Sequence, residues 1–455
     1  MNNIINKFKD IDNNDKIVLK NTFFAFIVKG GALVISLLST PAFINYFENN
    51  VVLGVWYTML SVLVWFLNFD LGIGNGIRNH LTVAFAKNDR NEAKYILSSG
   101  IFSTLIVTLI LSVIGILVLF LSDLNALFNV SESVLSKDVL FISALFVFIS
   151  IMLRFMLTTI SAVFYALQKS AINNLIALFV SILQLIFVIF FKFETISDSL
   201  IYLSLAYLVC SNLPLICAGI FIFHTKLRDC TPSIKFVKKI YIRKVLSIGG
   251  IFFICQILYM LITNTNEFLI TNLFGPNYTT EYTFYYKITS LISMIITLAM
   301  TPIWSVVTKA MTEKKWEWLN NLYSKIKKVG FLIIIFEFVL IPFLQPLMNI
   351  WLGNNTIEVN YIYALAFACF GSVFVYSGML STIVCGLARM KLQTICYTLG
   401  VIFKFLVVLI FSNYTNEWII VVWSNAIILL PYCAVQQISL NKYFNKKIKI
   451  EKGRS

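Results

Sequence analysis

The chain has 455 residues, of which 59% are hydrophobic and 13% charged, with a formal net charge of +15. That is more apolar surface than a soluble core of this size can bury, and in water the remainder would aggregate. The composition therefore excludes an ordinary water-soluble domain and points to the bilayer as solvent.

Apolar runs long enough to cross a membrane, roughly 20 residues each, recur in chain order. They fall at 21–47, 51–76, 95–121, 138–167, 171–191, 199–224, 245–274, 282–311, 329–351, 360–388, 392–412 and 417–438. The runs are continuous rather than alternating, so they predict helices and not barrel strands. The expected fold is an all-α polytopic membrane protein of about twelve transmembrane helices. The first twenty residues are polar with scattered Ile and Phe, show no signal-peptide cleavage pattern, and predict a short interfacial segment.

Basic residues collect in alternate loops. Lys7, Lys9, Lys16 and Lys20 precede the first span, and Arg78, Lys87, Arg90 and Lys94 follow the second. Lys169, the stretch from Lys226 to Lys244, the stretch from Lys309 to Lys328, Arg389 and Lys391, and the tail from Lys442 to Arg454 continue the series. The intervening loops hold Lys137 and Lys192. Both termini are therefore expected in the cytoplasm, with an even number of spans. Topology accounts for the positive charge, and nucleic acid is not an expected partner. The basic 225–246 loop and the tail would lie on anionic membrane lipids, each charge contributing about 1 kcal/mol.

The same loop divides the chain into 1–224 and 225–455, with six spans in each. Gly30-Gly31 in the first span is echoed by Gly249-Gly250 in the seventh. This fits two six-helix lobes around a central cavity, with substrate near the midplane.

Charges inside the spans carry the functional signal. Lys29, Asp70, Arg154, Glu267, Glu337 and Lys404 lie within them, and Lys287 near an outer end. Each costs about 2.5–3.5 kcal/mol at a helix centre, so each needs a partner or a watery cavity. Polar stripes at helical spacing accompany them. Ser143, Ser150, Arg154, Thr158 and Ser161 share a face of span 4; span 5 adds Asn174, Ser181 and Gln184; span 7 aligns Gln256, Thr263, Glu267 and Thr271. Lys29, Arg154, Lys287 and Lys404 outnumber well-placed carboxylates, and so favour an anionic substrate such as a phosphate or diphosphate. The plainer reading is that Ser and Thr stripes pack helix on helix, and that Lys404 pairs with Glu267 or Glu337. Glu337 lacks a polar stripe and is expected to be structural. Asp70 and Arg78, near the cytoplasmic end of span 2, are a candidate gate pair. Pro41, Pro214, Pro302, Pro342, Pro346 and Pro431 predict kinks.

Several chemistries find no support. There is no GxxxxGK[ST] phosphate loop, no Cys or His spacing for zinc, and no motif for another metal or cofactor. Asp70-Leu71-Gly72-Ile73-Gly74-Asn75-Gly76 follows a span rather than a strand, so its glycines are read as sites of close packing or bending.

The block Phe69-Asp70-Leu71-Gly72-Ile73-Gly74-Asn75-Gly76-Ile77-Arg78-Asn79, after Gly54-Val55-Trp56, resembles the second-span block of O-antigen and polysaccharide flippases. These form the polysaccharide-transport branch of the multidrug/oligosaccharidyl-lipid/polysaccharide exporter superfamily. In outline the similarity covers the whole chain, through the twelve-span layout, the Lys in span 1 and the basic middle loop. It implies translocation of an undecaprenyl-diphosphate-linked oligosaccharide to the outer leaflet of the bacterial inner membrane by alternating access. It also implies H+ or Na+ as coupling ion, and a polysaccharide polymerase and chain-length regulator as further partners. Asp70 and Arg78 match the family block, and Glu267 or Asp70 is the candidate for ion exchange. Two alternatives compete. A multidrug or cation antiporter of the same superfamily would want an acid where span 1 has Lys29. A membrane polysaccharide polymerase or glycosyltransferase would want a sizeable outer loop or paired carboxylates.

Overall fold

A computed structural model describes residues 13–68, 73–167, 169–246, 250–312, 314–353, 357–387, 389–415 and 417–452. Among them there is no β-strand. The main helices are α1 (Asn13–Phe47), α2 (Asn50–Asn68), α3 (Ile73–Ala86), α4 (Arg90–Leu121), α5 (Lys137–Ala166), α6 (Ser170–Phe190), α7 (Ile196–His224) and α8 (Lys239–Leu246). They continue with α9 (Gly250–Thr263), α10 (Asn266–Phe274), α11 (Pro276–Thr312), α12 (Trp316–Leu340), α13 (Leu344–Leu352), α14 (Tyr361–Gly386), α15 (Lys391–Phe411) and α16 (Ile420–Lys452).

Ten segments among the described residues are long and apolar enough to cross a membrane. The expected spans 51–76 and 282–311 correspond to α2 with α3, and to α11. Outward faces are apolar: Leu109, Val113 and Leu117 recur at four-residue steps on α4, as do Ile395 and Leu399, then Ile402 and Leu406, on α15, all at least half exposed. A stripe of that kind is stable only against lipid tails. The chain is a multi-pass, all-helical membrane protein.

Two expected spans are interrupted. The ninth breaks between α12 and α13 at the 3₁₀ turn Ile341–Phe343, where Pro342 removes a backbone donor and cannot continue the ladder. The seventh breaks at 264–265, between α9 and α10. No proline is there. The sequence Thr263-Asn264-Thr265-Asn266 instead supplies four side chains that compete for backbone hydrogen bonds. Pro41, Pro214 and Pro431 lie inside α1, α7 and α16, whose helical assignment runs through them.

The chain forms two compact units. The first comprises Met1–Phe47, Asp70–Leu121 and Phe141–Ile248; the second comprises Glu48–Phe69, Ser122–Leu140 and Gly249–Ser455. In the first, α1 lies along α6, α6 along α7, and both α3 and α8 pack on α4. Ile73, Ile77, Leu81, Leu97, Val163 and Val245 meet in its core. Gly76 makes this possible, because a Cβ there would stand 2.1 Å from the Val245 carbonyl oxygen. Gly76 of the second-span glycine block is thus a packing point, clamping α3 to the connector helix α8.

In the second unit α11 packs on α2 and α14, and α15 joins α9 to α16. A Cβ on Gly54 would fall 1.8 Å from the Pro276 carbonyl oxygen. The turn into α11 is made by Gly275, at φ 115°, a region open to residues without a Cβ. Pro276 then opens the helix, where a missing N–H costs nothing. The far end of α16 is anchored to the start of α12. Phe444 is fully buried 5.6 Å from Tyr323, Tyr443 meets Trp316 edge to face at 5.8 Å, and Lys452 pairs with Glu317 at 3.0 Å.

Candidate functional site

In the first unit the polar groups gather where α5 meets α7. Asn212 is buried and donates its amide to the Ser150 carbonyl (3.0 Å), to Ser150 Oγ (3.1 Å) and to its own helix at Leu208 (2.9 Å). One helical turn along α5, Arg154 Nη1 donates to the Ser211 carbonyl at 2.8 Å. Gln184 of α6 reaches the Ser211 hydroxyl at 3.0 Å. The stripe of span 4 is therefore partly a helix-packing seam, as the plainer reading held for Ser150. Arg154 is different. It is half-buried, and among the described residues no carboxylate lies within 4 Å of it. A guanidinium has five N–H donors in a planar fork that suits phosphate, and the Ser211 carbonyl engages one of its groups.

In the second unit the polar groups gather at the break between α9 and α10. Lys404 of α15 is fully buried. Its Nζ donates to the Ile262 carbonyl at 2.5 Å, Asn266 Oδ1 at 2.7 Å and Thr265 Oγ1 at 2.9 Å, with the Leu261 carbonyl at 3.5 Å. Asn266 is held in turn, accepting from Asn425 Nδ2 at 2.9 Å and donating to the Tyr282 hydroxyl at 3.0 Å. Ser61 of α2 donates to Glu267 Oε2 and reaches the Asn264 carbonyl, both at 3.0 Å, and Trp65 Nε1 donates to that carbonyl at 2.6 Å. Glu267 sits in the first turn of α10, where the helix dipole favours a negative charge. The hydroxyls of Thr58, Thr271 and Thr279 form a chain on the neighbouring turn.

The other sequence candidates are dispersed. Lys287 of α11 stands over the Tyr57 ring at 5.3 Å, a cation–π contact within the second unit. Arg78 is exposed on α3, 5.0 Å from the Tyr165 ring centre. The Lys29 side chain and Asp70 lie outside the described residues, and with Asp70 the gate pair. Lys404 meets carbonyl, amide and hydroxyl oxygens in place of either expected carboxylate. Glu337 is 1% exposed, and among the described residues neither of its carboxyl oxygens has a hydrogen-bond partner. It rests on Gly371, where a Cβ would come within 2.9 Å of Oε1. Glu337→Gln keeps that shape and breaks no hydrogen bond. Its unfolding temperature should stay within about 2 °C of the parent, with activity unchanged; a large loss of either would show that the ionised form is needed.

Sequence reasoning missed the break, the Thr265 and Asn266 oxygens around Lys404, and Asn425, which donates to Asn266. The signal was the run Thr263-Asn264-Thr265-Asn266, four consecutive residues that favour turns and caps over helix interiors.

Long apolar helices, two broken spans and charges within them fit a membrane transporter. Solved structures agree on the fold. The chain matches an inward-facing multidrug resistance MATE-family transporter of the MOP superfamily with a TM-score of 0.71, at 15% identity, over 93% of this chain and 99% of that one. An outward-facing MATE structure gives 0.58 at 16% identity, over 94% and 97%. A MOP-superfamily transporter from Pyrococcus furiosus, whose binding pocket is described as reversed in polarity, gives 0.63 at 15% identity, over 94% and 96%. At these identities the likeness establishes the fold alone.

The sequence goes further. Residues 18–307 match the model of the polysaccharide biosynthesis protein family, and the chain belongs to that family. It is also 21% identical, over 296 residues, to a Yersinia pseudotuberculosis protein described as an O-antigen export protein. That match takes in 61% of this chain and 63% of the relative, under two thirds of its length.

Proposed function

We propose that this chain is a flippase for an undecaprenyl-diphosphate-linked oligosaccharide. It carries the repeat unit from the cytoplasmic to the outer leaflet of the bacterial inner membrane by alternating access, with both termini in the cytoplasm. The observation that carries this reading is Arg154, a guanidinium in the middle of a membrane helix with no carboxylate within 4 Å among the described residues. In a member of the polysaccharide biosynthesis family, the anion that suits such a group is the diphosphate joining lipid to sugar. Lys287 and Lys29 are further substrate-binding candidates, each within its own unit. The transmembrane layout supports the bilayer as the place of work, and the Lys and Arg asymmetry supports the orientation.

The fold is shared with multidrug transporters, and this favours one rival, an antiporter for cationic drugs. The two part cleanly in a deletion strain. Lost surface polysaccharide, with complete repeat units stranded on lipid in the inner leaflet, is the expected result. Normal polymer together with new sensitivity to cationic drugs would overturn the flippase in favour of the antiporter.

A further inference from the structure

We propose that the break between α9 and α10 is a monovalent-cation site whose resident ion is the chain's own Lys404 ammonium. The inference stands apart from the identity of the transported substrate.

The hydrogen-bond directions carry it. Thr265 Oγ1 uses its hydrogen on the Leu261 carbonyl at 2.8 Å, so it can only accept from Lys404. Asn266 Oδ1 also accepts from Asn425, and the Ile262 carbonyl has no hydrogen to give. Three close neighbours of Nζ are thus acceptors only, and a neutral amine with two hydrogens would point its lone pair at one of them. The group that fits is –NH₃⁺. Its surroundings are two backbone carbonyls freed by a helix break, one hydroxyl and one amide oxygen. That is the oxygen set with which unwound transporter helices hold a small cation. Glu267 follows Asn266 in the chain, its Oε2 held by Ser61, and among the described residues it makes no direct ion pair with Lys404. The tether is built into α15. Gly400, one turn before Lys404, has room for no Cβ: Ile428 Cγ2 would lie 2.4 Å away, with Ile262 Cδ1 at 3.6 Å. The glycine lets α15 pack closely on α16, while Ile262 of α9 lies at ordinary contact distance and the lysine stem ends at the break.

The consequence is that this break needs no dissolved metal ion, and that emptying it should create a need for one. The test is thermal unfolding of purified, full-length protein in the chlorides of sodium, potassium, methylammonium and choline at equal ionic strength. Wild type should unfold at one temperature in all four. Lys404→Ala should lose on the order of 5–10 °C in choline, which is too bulky to enter. It should regain at least half of that, saturably, in one of the smaller cations. Adding Asn266→Asp should lower the half-rescue concentration at least tenfold, because a carboxylate holds a cation more tightly than an amide oxygen. Where Lys404→Ala does not fold, Lys404→Met, which keeps the apolar stem, is put through the same salts. An equal loss in all four salts, or a half-rescue concentration indifferent to Asn266→Asp, would overturn the site and leave Lys404 as a packing residue.

Discussion

Arg154→Ala is expected to abolish export while the protein still inserts and folds. Folding should survive because the lost bond, from Nη1 to the Ser211 carbonyl, goes to an atom that the helix ladder of α7 can itself serve. A hydrogen bond of that kind contributes about 0.5–1.5 kcal/mol. Function should not survive. Two charge-assisted bonds to a diphosphate, at about 1.5–3 kcal/mol each, correspond to a loss of roughly a hundredfold or more in substrate engagement. The measurement is surface polysaccharide and lipid-linked intermediate in a deletion strain carrying the variant, with membrane abundance checked in parallel. Arg154→Gln keeps a donor for Ser211 without the charge and should fail equally. Arg154→Lys keeps the charge without the fork and should retain partial export. Normal export from Arg154→Ala would sink the anion-binding reading.

The second large effect is on stability. Gly76→Ala places a methyl 2.1 Å from the carbonyl oxygen and 2.9 Å from the carbonyl carbon of Val245. Both obstacles are backbone, so no rotamer change relieves the clash, and α3 must move away from α8. Overpacking of this kind costs typically about 1–3 kcal/mol, more where the obstacle is rigid. A fall on the order of 2–5 °C in unfolding temperature is expected. New protease cleavage in the 225–246 connector should accompany it, because Val245 helps to pin that segment. Gly378→Ala is the control. A Cβ there meets nothing within 4 Å, and the variant should be neutral or slightly stabilised by the better helix former. Equal behaviour of the two variants would show that Gly76 does not clamp the connector.

The parts of the fold written in composition were legible. Continuous apolar runs located the spans, and Pro342 coincides with the break between α12 and α13. The role of Gly76 in close packing was also readable, since glycine in an apolar helix marks an approach of backbone to backbone. The break at 264–265 was not seen, because hydropathy averages over Thr263-Asn264-Thr265-Asn266 and the flanking residues are apolar. The charged residues were the least legible. Lys404 and Arg154 look alike in sequence as cations inside predicted spans, although only Arg154 sits in a long polar stripe. What distinguishes them is tertiary: Lys404 ends among oxygens of α9, of the break and of α10, whereas Arg154 meets one carbonyl of α7. No periodicity within α5 or α15 encodes which neighbour each helix will face. The Asn partners follow the same logic, since Asn212, Asn266 and Asn425 each make a bond to another helix.

The anchored end of α16 has a practical consequence. A 33-residue helix measures about 50 Å, well beyond a hydrocarbon core of about 30 Å. Its outer turns are fastened to α12 by Phe444 on Tyr323, by Tyr443 on Trp316 and by Lys452 on Glu317. A label joined to that end without a flexible spacer would ride on a stiff post. Such a post suits a fiducial mark in electron microscopy or a donor fluorophore in distance measurements. Deleting it to shorten the protein for crystallisation would instead uncover Tyr323 and Trp316 beside the membrane surface.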